Sequence, residues 1–367
     1  MTSRIDKAMI MAGGTGGHIF PGIAVANALI AKGWQVSWLG SVNGMEEEIV
    51  PKAGIPLELI TVKGLRGNGI VGWLKLPFTL TGAILQARKI FKKQKPNVVL
   101  GFGGFVSGPG GLACKLLGIN LVIHEQNAIA GMTNKNLARF SEHVFQAFPG
   151  AFKQNNKVTT VGNPVRESIF KVADNSNRTA AEDNVNILVI GGSRGALALN
   201  KYLPKTFAAL MESKKINVVH QVGKGRLAET NAVYQSLNLG EADDIQTVEF
   251  IDDMARAFSL ADIVICRAGA STVSELAAAG KAAIFIPYPY AVDDHQTANA
   301  NWLVERAAAL VFKESELQED RFCEELGKLI ETPEKIKQMA NNAKAAAMVD
   351  ATSTITNYCE KFRKRAA

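Results

Sequence analysis

Cysteine is scarce in this chain of 367 residues: Cys114, Cys266, Cys323 and Cys359 stand alone, with no C-x-x-C pair. Four scattered thiols exclude a disulfide framework and a cysteine-built metal site, and they fit a reducing compartment. Long hydrophobic runs are lacking too. The N-terminus leads into a short apolar run that ends in glycines, without a cleavage pattern. The stretch Gly69 to Leu85 is interrupted by Lys75 and Pro77 and does not read as a spanning helix. No Lys/Arg run or aromatic-rich motif marks a nucleic-acid module, so no nucleic-acid partner is expected. There is no D-x-D triplet, and hence no sign of a metal-held diphosphate. The G-x-G-x-x-G spacing fails at Ile19 and at Val106, and G-x-x-x-x-G-K-[ST] is absent. These gaps argue against a standard nicotinamide site and an ATPase phosphate loop. Neither a metal nor a cofactor is expected.

Glycine, by contrast, is abundant, at 33 residues, and the net charge is +7. The charge suits a mildly basic enzyme as well as an anionic partner such as a nucleotide diphosphate or a membrane surface. The length gives two domains. Short apolar strands are predicted at Lys7–Ala12, Gln35–Leu39, Leu57–Val62, Val98–Gly101 and Asn120–His124, alternating with helical segments. Pro21 to Lys32 reads as a helix, with Pro21 in its first turn and Gly33 as its stop. The pattern restarts at Asn186–Ile190, with further strands at Asn217–Val222, Ile245–Phe250, Ile263–Cys266 and Ala283–Pro287. The fold class is therefore α/β with parallel sheets covered on both faces, in two similar halves. The polar stretch Val172 to Asn184 reads as a surface loop near the domain boundary. The Ala- and Lys-rich segment after Pro333 is helical in character.

Four glycine-rich segments carry the chemistry: Gly13 to His18, Gly101 to Gly111, Gly191 to Gly195, and Arg267 to Glu275. Each follows an apolar strand and opens a helix, where amides and the helix dipole favour an anion. One such loop can be a mere tight turn; four together favour a phosphate-bearing ligand at the carboxyl ends of the strands. Without a metal, a leaving diphosphate needs amides and a cation, and Arg166 in Gly162-Asn163-Pro164-Val165-Arg166 is the candidate. His18 sits where a neutral imidazole could take a proton from an attacking hydroxyl. Glu125, in His124-Glu125-Gln126-Asn127, is a candidate base or the partner of one, and Asn127 a ligand for a sugar hydroxyl. Glu275 reads as a helix-start carboxylate, complementing the dipole or accepting two ribose hydroxyls. The pairs Asp243-Asp244, Asp252-Asp253 and Asp293-Asp294 read as turn and cap residues.

Taken together, Gly13 through Pro21, His124 to Asn127 with Gly131 to Lys135, Gly162 to Arg166, Gly191 to Ser193 and Arg267 to Glu275 resemble the MurG family of N-acetylglucosaminyltransferases, in order and spacing, from residue 8 to about 300. The resemblance implies a GT-B fold, two Rossmann-like domains facing a cleft. It implies transfer of N-acetylglucosamine, with inversion, from UDP-N-acetylglucosamine to the muramyl 4-hydroxyl of undecaprenyl-linked lipid I, giving lipid II of peptidoglycan. It places an acceptor- and membrane-facing domain at 1–165, with the terminal helix 348–367 packing back on it, and a UDP-sugar domain at 166–347. The donor contacts it implies are Thr15, Gly16, Gly17 and Asn127. To these it adds Arg166 and Ser193 at the diphosphate and the Ile251 backbone at uracil. Ala270, Ser271, Thr272, Val273 and Ser274 would line phosphate and ribose, with Glu275 on the ribose and Gln296 on the sugar. His18 and Glu125 are its catalytic candidates. Arg194 stands where relatives often have Gln, and Tyr288 to Asp294 is longer than expected.

A lipid-borne acceptor implies peripheral docking on the cytoplasmic face of the bacterial plasma membrane, with other cell-wall synthesis proteins as partners. The apolar cluster Ile70, Val71, Trp73, Leu74, Leu76, Phe78 and Leu80, with Arg66, Lys75, Lys89, Lys92, Lys93 and Lys95 near it, is the candidate anionic-membrane patch, or else simply core. A UDP-N-acetylglucosamine 2-epimerase and a nucleotide-sugar sensor are the competing readings.

Overall fold

A computed structural model describes residues 5–62, 69–174, 184–192, 195–239 and 244–363. The chain divides into two compact units, Met1–Arg166 with Met348–Ala367, and Glu167–Ala347.

The first unit runs β1 (Lys7–Ala12), α1 (Gly16–Ala31), β2 (Gln35–Ser41), α2 (Glu46–Lys52), β3 (Leu57–Ile60), α3 (Gly69–Gln94), β4 (Val98–Gly103), α4 (Ser107–Leu117), β5 (Asn120–Glu125), α5 (Met132–Leu137), β6 (His143–Gln146) and β7 (Val158–Thr160). Its strands lie parallel in the order β3-β2-β1-β4-β5-β6-β7. The second unit runs α6 (Glu167–Asp174), β8 (Val185–Ile190), α7 (Leu197–Met211), β9 (Ile216–Gln221), α8 (Leu227–Ser236), β10 (Ile245–Val248), α9 (Met254–Leu260), β11 (Ile263–Cys266), α10 (Ala270–Ala279), β12 (Ala282–Phe285), α11 (His295–Val304), β13 (Ala309–Val311), α12 (Asp320–Ile330) and α13 (Pro333–Ala346). Its parallel order is β10-β9-β8-β11-β12-β13. The chain then returns to the first unit as α14 (Ala351–Cys359), which packs on α1.

The period-two geometry of a strand explains the continuous apolar runs. Along β1, Ala8, Ile10 and Ala12 face a core shared with α1 and α14, while Met9 and Met11 face one shared with α3 and α4. In the second unit Ile187 and Val189 of β8 pack with Leu199, Leu203 and Phe207 of α7. Both sheets reverse strand order beside their first strand, between β1 and β4 and between β8 and β11. Ligands of open α/β sheets bind at such switch points, outside the carboxyl ends of the strands.

Several boundaries differ from the sequence reading. α1 begins at Gly16 rather than Pro21, so Pro21 lies inside the helix, where it withholds the amide that would reach Gly17. Gly33 does stop α1, with φ +83°. The segment expected as a loop from Val172 starts as the end of α6. α2 and the short strands β6, β7 and β13 carry no clear signal in the sequence.

Candidate active site

In the first unit two glycine loops meet at the switch point. Gly13-Gly14-Thr15 joins β1 to α1, and Gly104-Phe105-Val106 joins β4 to α4. A methyl on Gly104 would lie 2.2 Å from the Gly13 carbonyl oxygen, so the two backbones lie against each other and Gly104 cannot carry a side chain there. Gly103 is equally constrained: its Cβ would lie 2.8 Å from His18 Cδ2, and its φ is +106°. The missing methyl is the space the His18 ring occupies. His18, the third residue of α1, has its Nδ1 3.1 Å from Thr15 Oγ1. Thr15 is therefore engaged with His18 and makes no side-chain cap on α1. The amides of the first turn of a helix lack partners within the helix, which suits an anion at Thr15, Gly16 and Gly17.

The His124-Glu125-Gln126-Asn127 segment ends β5, the strand next to β4. Glu125 is buried and both its oxygens are engaged. Oε1 accepts from the Asn127 backbone amide (3.0 Å) and from Asn127 Nδ2 (3.2 Å). Oε2 accepts from the Gly131 amide (3.1 Å) and from Asn134 Nδ2 (2.9 Å). With its acceptor positions occupied by N–H donors, Glu125 staples the 125–134 loop and is not placed as the base expected from the sequence. Asn127 owes its position to that staple. His124 is buried as well. Gln126 Nε2 donates to its Nδ1 at 2.9 Å, so Nε2 carries the proton and donates to the Gly162 carbonyl at 2.9 Å. Burial holds this imidazole down to about 4, hence neutral. Its bond anchors the Gly162–Arg166 turn, and the Arg166 guanidinium sits 5.4 Å from the centre of the Phe20 ring on α1.

In the second unit the third and fourth glycine loops flank the other switch point. Gly191 and Gly192 follow β8, while Ser193 and Arg194 lie outside the described residues. Arg267-Ala268-Gly269 joins β11 to α10, whose N-cap Gly269 makes no side-chain cap. Asn299 of α11, fully buried, donates to the Ala268 carbonyl and fixes this loop. Ala270, Ser271 and Thr272 form the first turn of α10, with Ser274 and Glu275 half-buried beyond it. Two expectations change here. Val273 is fully buried and its amide donates to Gly269, so it is turned into the core and does not line a ligand. Glu275 is the sixth helical residue rather than a helix-start carboxylate, and dipole complementation does not account for it. Arg267 is held by Glu314 and by the carbonyls of Ile286 and Pro287, under the Tyr288 ring. Gln296 accepts from the Tyr288 amide at 2.8 Å. Ile251 and the exposed Phe250 border a cavity of about 520 Å³ between α9 and the β8–β9–β10 face. The cap reading of the acidic pairs holds at Asp253, which accepts from the Arg256 amide, and Asp294 is the N-cap of α11. Asp243 lies outside the described residues.

Glu46, at the start of α2, also reaches the first glycine loop: its Oε2 accepts from the Gly14 amide at 3.1 Å. No local sequence signal marks it, because its partner Gly14 lies in a turn 32 residues earlier in the chain.

The family models for the glycosyltransferase family 28 N-terminal domain and C-terminal domain match residues 8–146 and 186–355. The UDP-N-acetylglucosamine–N-acetylmuramyl-(pentapeptide) pyrophosphoryl-undecaprenol N-acetylglucosamine transferase of Pseudoalteromonas translucida is 50% identical over 361 residues, covering 98% of this chain and 99% of that protein. The crystal structure of Acinetobacter baumannii MurG superposes with a TM-score of 0.80 at 40% identity, covering 97% of this chain and 99% of that one. The chain belongs to the MurG branch of glycosyltransferase family 28. Its two parallel-sheet units are the domains of a GT-B glycosyltransferase of that family. A UDP-GlcNAc 2-epimerase from Neisseria meningitidis, bound to UDP-GlcNAc, shares the fold at a TM-score of 0.71 but only 14% identity, covering 97% of this chain and 100% of that one.

Proposed function

We propose that this family 28 enzyme transfers N-acetylglucosamine from UDP-N-acetylglucosamine to the muramyl 4-hydroxyl of the undecaprenyl-diphosphate-linked acceptor. The observation that carries this reading is the placement of all four glycine loops at the two sheet switch points, in a chain whose full-length relatives bear that transferase name. The first unit takes the acceptor and the second the UDP-sugar. In the second, the α10 N-terminus with Ser271, Thr272 and Ser274 faces phosphate and ribose, Glu275 accepts the ribose hydroxyls, and Ile251 meets uracil. Gln296 and Asn127 contact the sugar, and Arg166 with Ser193 balances the diphosphate.

The acceptor oxygen attacks the anomeric carbon as the bond from that carbon to the diphosphate oxygen breaks. The electron pair leaves with UDP, and a single displacement inverts the centre. His18 takes the hydroxyl proton. This needs Nδ1–H donating to Thr15, so that Nε2 carries the lone pair. The amides of Gly16 and Gly17 stabilise developing negative charge.

The lipid acceptor brings the enzyme to the cytoplasmic face of the plasma membrane. Among the described residues no helix is long and apolar enough to cross it. The side chains of Ile70, Val71, Trp73, Leu74, Lys75 and Leu76, and Arg66, lie outside the described part of the chain. Further along α3 the inward face is Ala83, Ala87 and Phe91, while Phe78 (80% exposed) and Leu85 (56%) point out, seven residues apart. Exposed Lys89 and Lys92 continue that outward stripe, which suits an anionic bilayer surface.

The test is UDP release by the purified chain with UDP-N-acetylglucosamine and a lipid I analogue. Release that depends on acceptor and yields a disaccharide-linked lipid is expected. Epimerised sugar without acceptor, or binding without turnover, overturns the assignment.

A further inference from the structure

Glu46 is fully buried, and its carboxylate is enclosed by three glycines, Gly13 and Gly44 from two turns and Gly40 from strand β2. Oε1 accepts from the Ser41 amide (2.8 Å) and the Ser41 hydroxyl (2.6 Å), and Oε2 from the Gly14 amide. Around it, a Cβ on Gly13 would lie 2.3 Å from Oε1, one on Gly44 2.4 Å from Cδ, and one on Gly40 2.7 Å from Cγ. Three side-chain-free positions thus form a pocket shaped to this one carboxylate. It sits at the N-terminus of α2, where the helix dipole favours an anionic group. Among the described residues no ion pair to Glu46 occurs, so its partners are amides and a hydroxyl.

The consequence reaches the reacting groups. Gly14 has φ +90°, and its amide is turned inward to Glu46. That fixes the direction in which the chain enters α1, and with it Thr15 and the His18 that Thr15 orients. On the other side Gly13 is pressed by Gly104, so the turn is clamped from two directions. We propose that Glu46 is a positioning residue of the transfer reaction: its buried carboxylate sets the Gly13–Gly14 turn so that His18 and the first α1 amides meet acceptor and diphosphate together. It touches no substrate itself. The inference rests on the transferase reading above, and wild-type turnover reports on that reading separately.

The experiment compares full-length wild type with Glu46→Gln, which keeps size but sets an amide NH2 against N–H or O–H donors. Turnover with the lipid I analogue, calorimetric binding of UDP-N-acetylglucosamine and the melting curve are measured. Because a displacement near 1 Å costs about a hundredfold in rate, kcat is expected to fall by about tenfold to a hundredfold. The donor Kd should rise by no more than about threefold, with one donor site per chain, since Ser271, Thr272, Ser274, Glu275 and Gln296 of the other unit supply most of the proposed donor contacts. Wild-type kcat in Glu46→Gln, or a loss of kcat that follows loss of folded protein, overturns the proposal. If Glu46→Gln does not fold, Ser41→Ala stands in, removing one donor and leaving the carboxylate. A fall in kcat of about threefold or more at an unchanged melting point then supports positioning, and an unchanged kcat overturns it.

Discussion

Substituting Gly103 by alanine separates the placement of His18 from the stability of the fold. The added methyl would lie 2.8 Å from His18 Cδ2 and 3.0 Å from Nε2. Carbon atoms in contact settle at about 3.5–4.0 Å, so the ring must withdraw by about 1 Å. A φ of +106° on a residue with a side chain adds backbone strain of about 1–3 kcal/mol. Gly33→Ala supplies the control: its φ is +83°, a Cβ there meets nothing within 4 Å, and it lies at the far end of α1. Both variants should melt lower, by roughly 2–4 °C per kcal/mol of strain. Only Gly103→Ala should lose turnover, by about a hundredfold, because a base displaced by about 1 Å no longer meets the hydroxyl in line. The assay is acceptor-dependent UDP release at saturating donor, alongside calorimetric melting of both proteins. Equal kcat in the two variants would show that the His18 ring position is immaterial and remove it as the base.

Three further outcomes are expected. Glu125→Gln sets an NH2 against the N–H donors of the 125–134 loop and should cost about 1–3 kcal/mol in urea denaturation while both limbs of the pH–rate profile survive; loss of the acidic limb, below which a base is protonated, would restore Glu125 as the base. His124 and His220, held by burial at about 4 and about 3 against an ordinary 6.5, bind protons less readily folded than unfolded. Stability present at neutral pH is therefore lost as the pH falls below 6.5, by about 2 kcal/mol for each imidazole on reaching pH 5, and flat urea midpoints from pH 7 to 5 would contradict this. Phe78→Glu with Leu85→Glu should weaken sedimentation with anionic vesicles by about tenfold or more, since each exposed apolar side chain buried in a bilayer contributes about 1.5–3 kcal/mol; unchanged partition would move the docking surface elsewhere.

The buried strands were the most legible elements. β1 and β11 match the sequence reading residue for residue, because a strand covered on both faces must be apolar throughout. The start of α1 was not legible. Gly16 and Gly17 look like loop and Pro21 looks like a first-turn residue, yet the helix runs through both glycines, with the Phe20 ring one turn on lying over Gly16 and the His18 ring against Gly103. Edge strands β7 and β13, three residues each, give too short a pattern to read.

The site divides the same way. Sequence alone marked the glycine loops, His18 and Arg166, because backbone that must approach an anion at a helix start needs glycine wherever it is folded. Only the tertiary structure decided that the four loops fall at the two switch points, since strand order is not written in any local pattern. Only it turned Glu125 and Val273 inward, one to staple a loop and the other to fill the core. Only it brought Glu46 to Gly14 across 32 residues, because a hydrogen bond depends on distance in space and leaves no trace in spacing along the chain.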